Sequence, residues 1–266
     1  MKVSTVIKTY TILSCIFKAA YMEDVIERNP MDKVQRPKPT PGEILEAENV
    51  HKSFTEPEVV HILNCLEKEP LKWRCLVELL TDTGCRRGEA LGLTWSCVDF
   101  EQQTITIKRT LNYTKEKGVF IAPTKTKQVR TIDLGPRVAA MLYQLKQEQA
   151  RTPKLVTLKG FSIKDFVFTQ DGTLDPMHPT SPTHYFRRFS QRFGIADFHP
   201  HKLRHTNASI SIVHGADIAS VSEKLGHADK STTLRMYTHA DRESIKRAGN
   251  IFRDAISGYM AESSGS

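Results

Sequence analysis

TITIKRTLNYTKEKGVFIAPTKTKQVRTIDL, residues 104–134, sets the fold class of this 266-residue chain. Its first eight residues, Thr104 to Leu111, alternate with period two, the pattern of a half-buried strand. Lys117-Gly118 reads as a turn, residues 118–122 as a second strand and residues 128–134, QVRTIDL, as a third. Helical sequence flanks this block on both sides. Upstream, Thr55-Glu56-Pro57-Glu58 has capping-box form and opens a helix carrying Val59, Ile62, Leu63 and Leu66. A second helix follows, with Trp73, Leu76, Val77 and Leu80 on one face. Downstream, Pro136 suits a first helical turn, and that helix runs to about Ala150. Ser181-Pro182 starts another, striped by Tyr185, Phe186, Phe189 and Phe193 and stopped by Gly194. Shorter helices are expected over 202–214, 217–225, 231–237 and 241–257, and a loop over 151–165. The result is α+β: mostly helical, with a small antiparallel sheet inserted.

Residues 1–35 carry Val6, Ile7, Tyr10, Leu13, Phe17, Tyr21 and Val25 at three- and four-residue steps, a helical stripe. One or two helices cannot bury such a stripe alone, so the chain reads as beginning inside a helical domain. Residues 36–50 start with RPKPTPGEI, whose prolines and glycine exclude regular structure, and form a basic linker. Residues 51–258 form the main domain, and 259–266 a disordered tail.

The net charge of +8 favours a polyanionic partner, although a basic enzyme without one fits the charge equally well. A hydrophobic content of 39% is enough for a core and argues against global disorder. Five cysteines without a CxxC pair argue against a disulfide framework or zinc ribbon and read as reduced thiols, mostly filling the core. No apolar run reaches the roughly 18 residues needed to cross a membrane. Lys8, Thr9 and Lys18 break the N-terminal apolar stretch, so it reads as an amphipathic helix rather than a signal peptide.

Four constellations carry chemistry. Thr83-Gly84-Cys85-Arg86-Arg87-Gly88-Glu89 places a tight turn and a charged cluster between two apolar helices. Alone, it reads more readily as a solvated helix–helix connection. Thr124-Lys125-Thr126-Lys127-Gln128-Val129-Arg130 joins two strands and reads as a basic hairpin tip able to enter a DNA groove, or as an edge guarded by lysines. In His199-Pro200-His201-Lys202-Leu203-Arg204-His205, His201 and Arg204 share a helix face and suit a phosphate oxyanion. His201 and His205 also stand at metal-ligand spacing, but no HExxH-type glutamate accompanies them. Leu225-Gly226-His227 is followed by Tyr237-Thr238-His239, where a tyrosine alone means only packing.

Taken in this order, T-G-C-R-R-G-E, T-K-T-K, H-K-L-R-H-T, L-G-H and M-Y-T-H resemble the tyrosine recombinase (phage integrase) family, over about residues 50–240. The wording is similar to integrases of conjugative transposons and phages of Gram-positive bacteria. Cys97 departs from the aspartate frequent in the family's W-S-D segment, a structural position. The resemblance implies that residues 1–35 are the end of a core-binding domain whose remainder is truncated, and that 51–258 is the catalytic domain. It implies site-specific cutting and rejoining of DNA for a mobile element, through a 3′-phosphotyrosine. Tyr237 would be the nucleophile, His201 the base and Lys125 the acid, with Arg86, Arg204 and His227 holding the phosphate. Glu89 would support these side chains, while Arg36, Lys38, Arg87, Lys127, Arg130, Lys202 and His205 would contact DNA. No cofactor and no metal are implied. The implied partners are double-stranded DNA with core recombination sites, further copies of the chain in a tetramer joined through the C-terminal helix, and a directionality factor, with no membrane. The implied location is the bacterial cytoplasm, at the nucleoid. A type IB topoisomerase-like or resolvase activity, or a non-catalytic fragment that competes for DNA, would fit the same motifs.

Overall fold

A computed structural model describes residues 3–41, 53–125, 128–151 and 165–226, and the chain divides into two units, Met1–His51 and Lys52–Ser266. In the first, α1 spans Val3–Met22. The Tyr10 hydroxyl donates to the Val34 carbonyl at 3.1 Å and ties the following segment back to the helix. Part of the expected stripe (Val6, Ile7, Tyr10 and Phe17) is half-buried, whereas Leu13, Tyr21 and Val25 are exposed. Residues 34–40 form no regular element, as their prolines require.

The second unit begins with α2, Glu56–Leu66. Thr55 caps it as its sequence predicts: the Thr55 N–H donates to the Glu58 carboxylate at 2.7 Å, and Thr55 Oγ1 accepts from the Glu58 N–H. Next is α3, Leu71–Thr83, in which Cys75, Leu76, Val77, Leu79 and Leu80 are all buried. A helix apolar on so many sides sits at the centre of its domain. It packs against α5, Pro136–Arg151, and α7, Pro200–Val213. Between them in sequence come the short α4, Arg87–Leu91, and α6, Ser181–Phe193, ended by Gly194 in the left-handed region (φ 66°). The last described helix is α8, Ile218–Leu225. Ala208, Ile212, Val221 and Leu225 seal α7 to α8 as a satellite of the main core.

Among the described residues, five strands form two antiparallel sheets: β1 (Val98–Asp99), β2 (Thr104–Ile107) and β5 (Arg130–Asp133) in the order β1-β2-β5, and β3 (Arg109–Thr114) with β4 (Gly118–Pro123). This corrects two sequence expectations. The strand expected over 104–111 is two strands, divided at the exposed Lys108. Ile105 and Ile107 face the core and pair opposite Ile132 and Arg130, while Leu111 pairs opposite Ile121 in the other sheet. Period two senses faces, not partners, so it runs through the switch unbroken. The hairpin expected around 124–130 does not form either, because β4 and β5 lie in different sheets; Thr126 and Lys127 lie outside the described residues. After β4, Thr124 Oγ1 donates to the Gln128 carbonyl at 2.9 Å. The true tip is the β3–β4 turn at residues 115–117.

Without a strong sequence signal, a 3₁₀ turn forms at Trp95–Cys97, and single bridges join Thr94 to Phe166 and Thr169 to Pro176. Cys97 is buried, and its sulfur accepts from Thr94 Oγ1 at 3.3 Å, consistent with a structural position. Cys65, Cys75 and Cys85 are also buried free thiols; Cys15 is exposed and fills no core. The expected helices at 231–237 and 241–257 and the tail lie outside the described residues, as does most of the expected loop at 151–165.

Candidate active site

Three short-range features bring the motifs together. Gly84 ends α3 in the left-handed region (φ 62°), and a Cβ there would stand 2.4 Å from Leu225 Cδ2. Only glycine satisfies both the backbone angle and this close approach of the ends of α3 and α8. Arg86 is the N-cap of α4, and the Glu89 carboxylate reaches back to its N–H at 2.9 Å. His199 caps α7, its Nδ1 accepting from the Lys202 N–H at 3.1 Å.

The resulting cluster contains three guanidiniums and one carboxylate. Arg86 Nη1 donates to Glu89 Oε1 at 2.9 Å, and Arg130 Nη2 donates to Glu89 Oε2 at 2.6 Å. Arg204 is 4% exposed; it donates to the Gly84 carbonyl at 2.8 Å and the Leu225 carbonyl at 2.7 Å. Burial, and then the Arg86 charge, push the Arg204 guanidinium down to about 10. Burial raises the Glu89 carboxyl, but the hydrogen bond and charge of Arg130, together with Arg86, outweigh it and leave its pKa below the ordinary value. One carboxylate cannot neutralise three guanidiniums, so the cluster carries surplus positive charge suited to an anion.

Arg86, Arg87, Lys125, Arg187, His199 and His201 line an adjoining cleft of about 1140 Å³. Burial lowers the His201 pKa, and the nearby charges of His199, Arg204, Arg87 and Arg86 lower it further. A neutral imidazole is thereby favoured, the form that accepts a proton. Cys85, between Gly84 and Arg86, is held as a thiol by burial, its pKa pushed up to about 11, which is the wrong form for a nucleophile.

Of the residues expected at the site, Arg86, Lys125 and His201 line the cleft, Arg204 lies in the buried cluster, and Glu89 joins the arginines. His227, Tyr237 and Lys127 lie outside the described residues. Among the expected DNA contacts, Arg36 and Lys38 are exposed in the first unit, and Arg87 is exposed with a 2.7 Å bond to Thr183 Oγ1. His205 is half-buried on α7.

Two of the expected DNA contacts are engaged inside the protein. Lys202 is buried, its ammonium 4.2 Å from the centre of the Phe54 ring, because α7 turns this position toward the core. The Arg130 side chain is 9% exposed and committed to Glu89 and to the Lys224 carbonyl. Neither is a free surface cation. Conversely, Thr183, Arg187 and Ser190 line the cleft without having been singled out. Their spacing of four and three residues on α6, beside its phenylalanine stripe, is the signal in the sequence.

The cluster and cleft fall within residues 52–244, which match the model of the Phage integrase family. Among curated proteins, the chain is similar to the tyrosine recombinase XerC-like protein of Caldanaerobacter subterraneus subsp. tengcongensis, at 29% identity over 246 residues, covering 85% of this chain and 60% of the relative. It is similar also to the ICEBs1 integrase of Bacillus subtilis, at 23% identity, covering 92% of this chain and 64% of the relative. The chain therefore spans somewhat less than two thirds of these relatives' lengths. Its fold matches that of the Tn1549 transposon integrase in complex with transposon right end DNA, with a TM-score of 0.76 at 21% identity, covering 95% of this chain and 80% of that one. With the ordered motifs, the helical fold with its small sheets and the match across most of the second unit, the chain belongs to the phage integrase family of tyrosine recombinases.

Proposed function

We propose that this chain cuts and rejoins DNA at specific sites, through a covalent link between Tyr237 and a 3′ phosphate. The observation that carries this reading is the shared, under-neutralised cluster of Arg86, Arg130 and Arg204 around Glu89, beside an open basic cleft. A phosphodiester gains negative charge as it passes through its pentavalent transition state, and fixed guanidiniums stabilise that charge. Arg86 uses one N–H on each terminal nitrogen for Glu89 and Gly226, which leaves donors for phosphate oxygens. Tyr237 Oη attacks phosphorus and gives its proton to His201. The bond from phosphorus to the 5′ oxygen breaks, and Lys125 protonates that oxygen. His227 holds a phosphate oxygen. The phosphotyrosine keeps the bond energy, so a 5′ hydroxyl can reseal the strand.

The finer reading is integration or excision of a mobile element. It rests on similarity to proteins named as the ICEBs1 integrase and the Tn1549 transposon integrase. Core-site DNA, a tetramer joined through the C-terminal segment, a directionality factor and a place in the cytoplasm at the nucleoid belong to this proposal. So does the division into a partial core-binding domain, a linker, a catalytic domain and a tail. No helix among the described residues is long and apolar enough to cross a membrane.

The test is incubation of the chain with a pool of nicked duplexes of randomised sequence, followed by capture of adducts under denaturing conditions. Wild type should yield adducts enriched in one sequence, and Tyr237→Phe none. No adduct from wild type, or adducts that survive Tyr237→Phe, would refute the proposal.

A further inference from the structure

Arg130 opens β5, where it pairs opposite Ile107, and its position there is unusual for a residue expected to meet DNA. Its Nη2 and Nη1 reach the two oxygens of Glu89 at 2.6 and 3.3 Å, and its Nε donates to the Lys224 carbonyl at 2.9 Å. Both partners lead to the proposed site. Glu89 also holds the N–H and Nη1 of Arg86. Lys224 belongs to the last turn of α8, where carbonyls lack helical partners and cations are favoured.

The end of α8 shows a pattern of its own. The carbonyls of Lys224, Leu225 and Gly226 accept, in order, from Arg130, Arg204 and Arg86. Three consecutive carbonyls are thus taken by three different guanidiniums. Gly226 makes room for this. It has φ 68°, and a Cβ there would stand 2.8 Å from Arg130 Nη1 and 3.0 Å from its Cζ. The residue that follows Gly226 in sequence is His227.

We infer that Arg130 is a positioning residue for DNA cleavage, fixing Glu89 and the end of α8 together so that Arg86 and the turn leading to His227 keep one geometry. The inference rests on the cleavage reading proposed above. Arg130 itself makes no contact with DNA. A lysine keeps the charge but cannot bond the two carboxylate oxygens and the carbonyl at once, because it lacks the planar fork. Without the fork, Glu89 is held from one side only, and the Arg86 donors move relative to the phosphate. A misplacement of about 1 Å costs a reaction on the order of 100-fold.

The experiment compares wild type, Arg130→Lys and Arg130→Ala, each as the full chain, on a nicked duplex recovered from the randomised pool. Three quantities are measured: the single-turnover rate of adduct formation at saturating DNA, duplex affinity across several salt concentrations, and thermal melting. Both variants should lose about 100-fold in rate while affinity and its salt slope stay at the wild-type value. Guanidinium ion should restore part of the rate to Arg130→Ala, where space is open, and not to Arg130→Lys. An affinity loss with a salt slope smaller by about one would instead make Arg130 a phosphate contact. A wild-type rate in Arg130→Lys overturns the inference alone. So does a rate that falls only in step with the folded fraction and ignores guanidinium. Absence of any wild-type adduct overturns the cleavage reading, and this inference with it.

Discussion

Two clusters of arginine and glutamate lie in the second unit, and their charges are matched differently. In one, Arg74 and Arg137 meet Glu67 and Glu78: Arg74 Nη2 lies 2.6 Å from Glu67, Arg137 binds the buried Glu78 at 2.7 Å, and Arg137 also bonds Glu67. Each guanidinium has a carboxylate, and the hydrogen bonds that Arg137 donates to Glu78 and Glu67 hold it above its ordinary pKa. In the other, Arg86 and Arg130 share Glu89, while the neighbouring Arg204 bonds the Gly84 and Leu225 carbonyls and is pushed down to about 10. The opposite shifts teach how to separate the two roles. A balanced network joins helices and is complete as it stands, whereas an unbalanced one is completed by an anion from outside.

Substitutions should separate the clusters. The largest effect is expected from Arg204→Ala or Arg86→Ala, which should cut the adduct rate by about 100- to 1000-fold, the usual cost of a lost oxyanion donor. Comparable rates for wild type and either variant would erase the distinction. Glu89→Gln removes the carboxylate that Arg86 and Arg130 share, and should destabilise the fold by about 3–5 kcal/mol in denaturant titration, as for a broken buried pair. Glu78→Gln on the balanced side should cost only about 1 kcal/mol, since Arg137 is half-exposed and solvent screens the pair. Its adduct rate should not change, and a large loss there would place the balanced network in the chemistry as well. Gly226→Ala strains a left-handed residue by about 1 kcal/mol and crowds Arg130, so it should reproduce the rate defect of Arg130→Lys with little loss of melting temperature.

The smallest effect concerns pH. The folded protein disfavours charged His201, so the folded state binds fewer protons there than the unfolded chain near pH 6.5. The stability from this group is present above the unfolded pKa and is lost as pH falls below it. In the free protein the neutral imidazole is favoured at pH 6.5, so the adduct rate at subsaturating DNA, which reports the free protein, should decline only on further acidification. A decline centred above 6.5 would remove His201 as the base.

What was legible in the sequence was local. Thr55 with Glu58, Pro136 and Gly194 mark helix ends through bonds or angles spanning a few residues, and the helices begin or stop where those residues stand. The order of Arg86, Lys125, His201 and Arg204 pointed to one site because ordered motifs need no knowledge of contacts. The sheet switch at Lys108 was not legible, because alternation is the same whichever strand is the partner. Nor was the role of Arg130: its partners are 41 and 94 residues away, and a basic residue beside lysines looks like a surface cation until those contacts exist. Lys202 misled for the same reason, since only the fold brings Phe54 under its ammonium.

On this reading the surplus guanidinium charge serves the negative charge of the scissile phosphate. This role is tested most directly by replacing that phosphate with a neutral methylphosphonate and remeasuring the defect of Arg204→Ala in adduct formation. With the charge removed from the substrate, Arg204 has less to stabilise, and the gap between variant and wild type should shrink severalfold or more. An equal gap on the charged and neutral substrates would mean that Arg204 does not serve the phosphate charge.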